Sequence, residues 1–271
     1  MKRIIFYNDE LNDDFAGVQK KKIKIPHDFK FVHKSIFWRF FAFIAYRIIM
    51  TPFAYLYCKI KFNLKIVDRT DLPLEKNDGC FLYSNHTLLA GDAFIPSILA
   101  YPKKVYVVVS PENISSTGTK NFLLMNGAIP LPQSATAFKG FVHAIEQRIT
   151  QGHCVTIYPE AHIWPYYTKI RPYPAKSFRF SVKNNAPIYV STTTFQKKLF
   201  GKTPRVTVFL EGPFYPNTAV TPREAEQQLR DTAYKVMCRN AKNNTYCPIK
   251  YVRREQEFND IDNVRRKSQH V

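Results

Sequence analysis

From residue 79 onward, short β-branched or aromatic runs alternate with segments of helical periodicity. This alternation restricts the fold more than any other feature of the chain. The runs "GCFLYS" (79–84), "KKVYVVVS" (103–110), "CVTIYPE" (154–160), "APIYVSTTT" (186–194) and "RVTVFLEGPF" (205–214) read as strands. "DAFIPSILAY" (92–101) reads as a short helix that Asp92 can cap. "SATAFKGFVHAIEQRITQG" (134–152) carries Phe138, Phe141, Val142, Ile145 and Ile149 at helical spacing, with Gly152 as a stop. Thr221, Pro222 and Glu224 supply a cap, a first-position proline and the acid of a capping box for a last helix. Strands alternating with helices predict an α/β domain with a largely parallel sheet flanked by helices.

The segment before this domain differs in kind. "KSIFWRFFAFIAYRIIMTPFAYLYCKIKF" (34–62) is the most apolar part of the chain, and Arg39, Arg47 and Pro52 interrupt it. Its longest uncharged run, Ile48–Cys58, has 11 residues. As a helix that run is roughly 16 Å long, against about 30 Å of bilayer hydrocarbon. The expectation is therefore an amphipathic helical hairpin, broken near Thr51 and Pro52, lying in a membrane interface. The plainer alternative is a helical pair buried on the main domain. The net charge of +19 points to a polyanionic partner, an anionic membrane surface or nucleic acid. The aromatics cluster in one apolar segment instead of interleaving with Lys and Arg, so the membrane surface is expected and nucleic acid is not.

The five cysteines are widely spaced, without zinc-ligand or disulfide-framework pattern, which fits a reducing compartment. The first residues lack the apolar stretch of a signal peptide. The expected location is the cytoplasmic face of a membrane, with peripheral or monotopic attachment. The expected organisation is a basic segment with the hairpin over 1–74, the α/β domain over 75–250 and a polar tail over 251–271.

In α/β sheets ligands gather at the carboxyl ends of strands. Two such ends stand out: Ser84-Asn85-His86, with Asp92 beyond, and Tyr158-Pro159-Glu160-Ala161-His162. A carboxylate that holds one imidazole nitrogen lets the other accept a proton. No Gly-x-Ser-x-Gly elbow is present, so the proton would come from the hydroxyl of a bound substrate. Taken alone, His86 and Asp92 read equally well as strand and helix caps.

Four blocks in order give this pair a context: Asn85-His86 with Asp92, "GAIPL" (127–131), "YPEA" (158–161) and "APIYV" (186–190). In these the chain resembles the glycerolipid acyltransferase superfamily, best known for the 1-acylglycerol-3-phosphate acyltransferases, over about residues 75–215. The resemblance implies transfer of a fatty acyl group from a thioester on CoA or acyl carrier protein to a hydroxyl of a lysophospholipid or related glycerolipid. It implies no further cofactor and no metal. His86 is then the general base and Asp92 its orienter. Asn85, Thr87, Gly127, Pro159, Glu160 and His162 are expected around the substrate.

The chain departs from the family pattern at three places. Five residues, not four, separate His86 from Asp92, an insertion expected in a loop over 88–91 that Gly91 relaxes. Gln133 and Ile163 stand where the family often has the arginines associated with the acceptor's phosphate. Lys169, Arg171 and Lys176 are expected to replace them. Trp164, Tyr166 and Tyr167 read either as an acyl or acceptor path or as core. The alternatives on this scaffold are a non-phosphorylated acceptor, a lipid hydrolase, and a non-catalytic lipid- or nucleic-acid-binding protein.

Overall fold

A computed structural model describes residues 3–16, 23–76, 78–114, 118–198 and 203–254. Lys20, Lys21 and Lys22 of the basic run, and most of the expected polar tail, lie outside these. In chain order the elements are β1 (Arg3–Tyr7), α1 (Ile36–Phe43), a π-helical segment (Ile44–Met50), α2 (Thr51–Phe62), β2 (Lys65–Thr70), β3 (Cys80–Ser84), α3 (Leu89–Leu99), β4 (Val105–Val109), α4 (Lys120–Met125), β5 (Ala128–Pro130), α5 (Ala135–Thr150), β6 (Cys154–Ile157), α6 (Arg179–Asn184), β7 (Ile188–Gln196), β8 (Arg205–Phe214), α7 (Pro222–Ala241) and β9 (Ile249–Arg253).

Seven strands form one sheet in the order β2-β8-β7-β3-β6-β4-β5. All neighbours are parallel except β7 and β8, so the expected fold class holds. β3 lies between β7 and β6 and is buried throughout. Its side chains alternate between two cores, as a strand's period of two requires. Phe81 and Tyr83 join Phe141 and Ile145 of α5 and Leu229, Ala233 and Met237 of α7. Cys80 and Leu82 join Cys58 and Phe62 of α2 and Ile95 and Leu99 of α3. The capping box at Thr221 and Glu224 forms as the sequence predicts.

The expected hairpin does not form: residues Ile36–Phe62 make one helix of 27 residues. Pro52 does not break it because the preceding segment is π-helical. Proline lacks an N–H and crowds the carbonyl four residues back; a π segment shifts the bonding by one residue and leaves space. The Tyr46 carbonyl accepts both the Thr51 N–H and the Thr51 hydroxyl, the latter at 2.7 Å. At 1.5 Å per residue the helix is about 40 Å long, and it is long and apolar enough to cross a membrane by length and composition. Ala42, Ala45, Tyr46, Ala54, Cys58 and Phe62 face the protein. Of the 20 exposed large hydrophobic residues among those described, 11 lie on this helix, so its outer side is largely apolar, with Arg39, Lys59 and Lys61 exposed among them.

The expected division at 74/75 does not coincide with the architecture. β2 lies before that point and is an edge strand of the main sheet, paired with β8. β1 pairs in parallel with β9, which itself crosses the expected 250/251 boundary.

Candidate active site

His86 follows the carboxyl end of β3, and its ring is fixed on two sides. Nδ1 lies 2.7 Å from Asp92 Oδ2. The Tyr158 ring, past the end of β6, stacks on the imidazole with centroids 4.5 Å apart. The Tyr158 hydroxyl donates to the Asp92 backbone carbonyl and so joins both partners of the pair. Nε2 has no hydrogen-bond partner among the described residues, and the side chain is 23% exposed, so a ligand can reach that nitrogen.

The five-residue spacer is accommodated by a helix, not by a loop. α3 begins at Leu89, which makes Asp92 a residue of its first turn. From there the carboxylate reaches back over the turn, where Oδ2 also accepts the Leu88 N–H at 2.9 Å. Gly91 is helical, and its contribution is space: a Cβ there would lie 2.2 Å from Leu88 Cδ2. Burial pushes the Asp92 carboxyl above its ordinary value, while the His86 contact and the backbone N–H groups pull it back.

Glu160 holds the backbone on which the pair is mounted. Its Oε2 accepts the His86 N–H at 3.0 Å, and its Oε1 accepts the Arg171 N–H at 2.9 Å. The Arg171 guanidinium, 3.4 Å from Glu160 Oε2, is buried over the Trp164 ring and also donates to the His162 and Glu10 carbonyls. Burial raises the Glu160 carboxyl, and Arg171 lowers it again. Both Glu160 oxygens and the two terminal nitrogens of Arg171 thus bond within the protein, while Arg171 Nε is buried without a partner among the described residues. Both were expected at the substrate; both are buried, and together they hold the His86 segment.

The remaining expected residues divide by the strand ends they occupy. Asn85 is buried and bridges to β7, donating to the Thr193 carbonyl and accepting its N–H at 2.8 Å. The Thr87 hydroxyl is shared by the carbonyls of Trp164 (3.1 Å) and Tyr167 (2.9 Å). Pro159 is buried in the turn before Glu160, and His162 is half-buried with Nδ1 3.9 Å from Asp14 Oδ2. Ala161 completes the turn in the left-handed region at φ 63°. Lys169 and Lys176 are exposed, and neither touches the His86–Asp92 pair. Gly127 is not at the site. It precedes β5, at the opposite end of the strands, where φ is 94° and a Cβ would lie 2.3 Å from the Val105 carbonyl oxygen. Gln133, expected where an arginine would meet phosphate, instead accepts the Ile25 N–H.

The apolar helix reaches this site through α3. Phe53 and Tyr57 of α2 pack on Phe94, two residues past Asp92, with centroids 5.7 and 5.4 Å apart. Trp164 is core, whereas Tyr166 and Tyr167 are only partly covered. Sequence reasoning missed two contributions. One is the Tyr158 ring, whose signal was an aromatic residue at the strand end beside Glu160. The other is the inward turn of Arg171, signalled by an arginine between apolar Ile170 and Tyr173.

The arrangement presents an imidazole nitrogen, Nε2, at the carboxyl end of a largely parallel sheet, with the opposite ring nitrogen against a buried carboxylate. No family model and no curated protein matches the sequence. Among solved structures, the chain is similar to the 1-acyl-sn-glycerophosphate (LPA) acyltransferase, PlsC, from Thermotoga maritima. The TM-score is 0.52 at 16% identity, over 76% of this chain and 86% of that one. At that identity the likeness is one of fold.

Proposed function

We propose that the protein is a membrane-associated acyltransferase that moves a fatty acyl group from a thioester to a hydroxyl of a lysophospholipid or related glycerolipid. The observation that carries this reading is the His86–Asp92 pair, with Nδ1 engaged and Nε2 open to a ligand. The fold shared with an LPA acyltransferase supports it.

The acceptor hydroxyl gives its proton to Nε2 as its oxygen attacks the thioester carbonyl carbon. Asp92 stabilises the imidazolium that forms. As the tetrahedral intermediate collapses, the C–S bond breaks and the Nε2 proton goes to the departing thiolate. Ester and free thiol leave, and the imidazole is again neutral. Lys169 and Lys176 are the members of the expected cationic set still exposed for an acceptor's phosphate. The outer side of Ile36–Phe62 lies in the bilayer, and its packing on α3 brings lipid chains to the site.

The test is incubation of the full chain, in nonionic detergent, with labelled acyl-CoA or acyl carrier protein and a panel of lysolipids. Wild type transfers the label, and His86→Ala loses about 10²–10⁴ in rate while keeping its circular dichroism. Wild-type turnover in a folded His86→Ala variant would remove the base from the mechanism. Label released as free fatty acid without any acceptor would make the protein a hydrolase.

A further inference from the structure

At the amino ends of β4 and β6, away from His86, a cleft of about 740 Å³ opens between the helix of Ile36–Phe62 and the end of α5. Cys154 of β6 is level with both Cys80 and Val105. The cleft at Lys104 and His153 is therefore separated from His86 by about six residues of strand, roughly 20 Å. Six cations line it: Lys34, Arg39, Arg47, Lys103, Lys104 and Arg148. No carboxylate lines it among the described residues.

Three of these charges, on Arg47, Lys104 and Arg148, sit on aromatic rings. Lys104 Nζ donates to the Met125 carbonyl and lies over the Tyr46 and Tyr106 rings. Arg148 lies over Tyr106, and Arg47 over Tyr46 and Tyr101. Arg47 Nη1, Arg148 Nε and His33 Nε2 are buried N–H-bearing or accepting atoms without a hydrogen-bond partner among the described residues. Burial and the neighbouring cations push Lys104 down to about 8 and His153 down to about 4. Like charges gathered without acids are unfavourable in the free protein and favourable only against an anion.

We propose that this cleft is a second binding site, for a phosphate-bearing anion, and that its occupant is the phosphomonoester headgroup of an anionic lipid. Arginine and lysine suit phosphate oxygens. The lipid source follows from the wall. Trp38, Ala42 and Phe43 line the cleft, while Phe37, Phe40 and Phe41 of the same helix are exposed beside it. A lipid phosphate at this depth has its chains alongside an apolar surface. The site requires no acyl transfer, so its test stands apart from the proposed reaction.

Trp38 stacks on His33 at 3.9 Å and gives a local signal. The full chain in nonionic detergent is titrated with inorganic phosphate, with dihexanoyl phosphatidic acid and with dihexanoyl phosphatidylcholine, at constant ionic strength. Tryptophan fluorescence and Tm are followed. The expected result is a saturable response to phosphatidic acid at a concentration at least tenfold below that for inorganic phosphate, and none to phosphatidylcholine. Trp38→Phe abolishes the fluorescence change. Lys104→Met and Arg148→Gln weaken binding at least tenfold, and Lys104→Met raises the Tm of the unliganded protein, since one buried cation among like charges is gone. Equal potency of inorganic phosphate would overturn the lipid assignment. A response that survives both cation substitutions, or that His86→Ala removes, would overturn the site itself.

Discussion

His86 is held from two sides by carboxylates that act on different atoms: Asp92 on the ring and Glu160 on the backbone N–H. Only the first contact follows the ring's proton, so the two are separable by experiment. Burial raises the Asp92 carboxyl above 3.8. An acid raised on folding binds its proton more tightly in the folded chain, so its contribution to stability falls as pH rises from the unfolded value through the folded one. At neutral pH the ionised group is a cost, and Asp92→Asn removes it. The variant's Tm is expected to match wild type near about pH 4 and to exceed it near about pH 7, while acyl transfer drops at least tenfold, to be read by thermal melts and the transfer assay. A lower Tm at neutral pH would mean that the His86 and Leu88 contacts outweigh burial. Glu160 depends on Arg171 for its counter-charge. Arg171→Gln should cost about 3–5 kcal/mol in urea unfolding, because it leaves a buried carboxylate unpaired. Lys169→Gln and Lys176→Gln should stay within about 0.5 kcal/mol. Similar costs at all three positions would contradict the inward placement of Arg171. The His86–Asp92 pair was legible because both residues belong to one short stretch joining a strand to a helix. The Glu160–Arg171 pair was not: a basic run does not show which of its cations points inward. The clue was an arginine, suited to buried ion pairs, set between buried Ile170 and Tyr173.

At the scale of elements, composition located the long apolar segment but Pro52 gave the wrong shape. A proline prohibits one hydrogen bond, and sequence alone does not show whether the helix ends there or shifts its bonding by one residue. The π segment makes the second choice, and along the helix Ala42, Ala45, Tyr46, Ala54, Cys58 and Phe62 face the protein. Ala54 is 2% exposed, whereas Phe40 and Phe41 are more than half exposed. Ala54→Leu should therefore cost about 1–3 kcal/mol by overpacking and leave liposome binding per folded molecule unchanged. The double substitution Phe40→Ser, Phe41→Ser should leave the unfolding midpoint in place and weaken liposome binding at high salt, where charge is screened. If the serine variant instead lost stability and kept its binding, the outer side of this helix would be packing against protein. The cap of α7 belongs to the same scale and was fully legible, since Thr221 and Glu224 are three residues apart and need no tertiary information.

Across the whole molecule, the strand order and the meeting of the two ends of the chain were beyond the sequence reading. Alternating elements imply a parallel sheet, but the pairing of β1 with β9 joins segments more than 240 residues apart, and nothing local marks it. That pairing bears on the site. Trp164 donates its backbone N–H to the His86 carbonyl at 3.2 Å, and its indole donates to the Asp13 carbonyl at 2.7 Å. The rings of Tyr7, Phe15 and Tyr251 pack around the same indole, and the Glu10 carbonyl accepts from Arg171. The first strand and the turn after it thus cover the loop that ties Glu160, Trp164 and His86 together, without touching the His86 ring. Removing residues 1–16 should leave the seven-stranded sheet and its circular dichroism intact, because β1 belongs to the separate two-stranded sheet. It should also uncover Trp164, giving a red-shifted emission in a Trp38→Phe background, where Trp164 is the remaining tryptophan. With the loop loosened, Nε2 is no longer held where the acceptor hydroxyl meets it, and misplacement of a reacting group by about 1 Å can cost on the order of 10² in rate. The expected loss is in kcat more than in KM, since the residues that would meet the acceptor are all retained. A truncated chain with wild-type kcat and a red-shifted Trp164 would show that the His86–Asp92 pair keeps its geometry without the cover, and would restrict the joined ends to a role in stability.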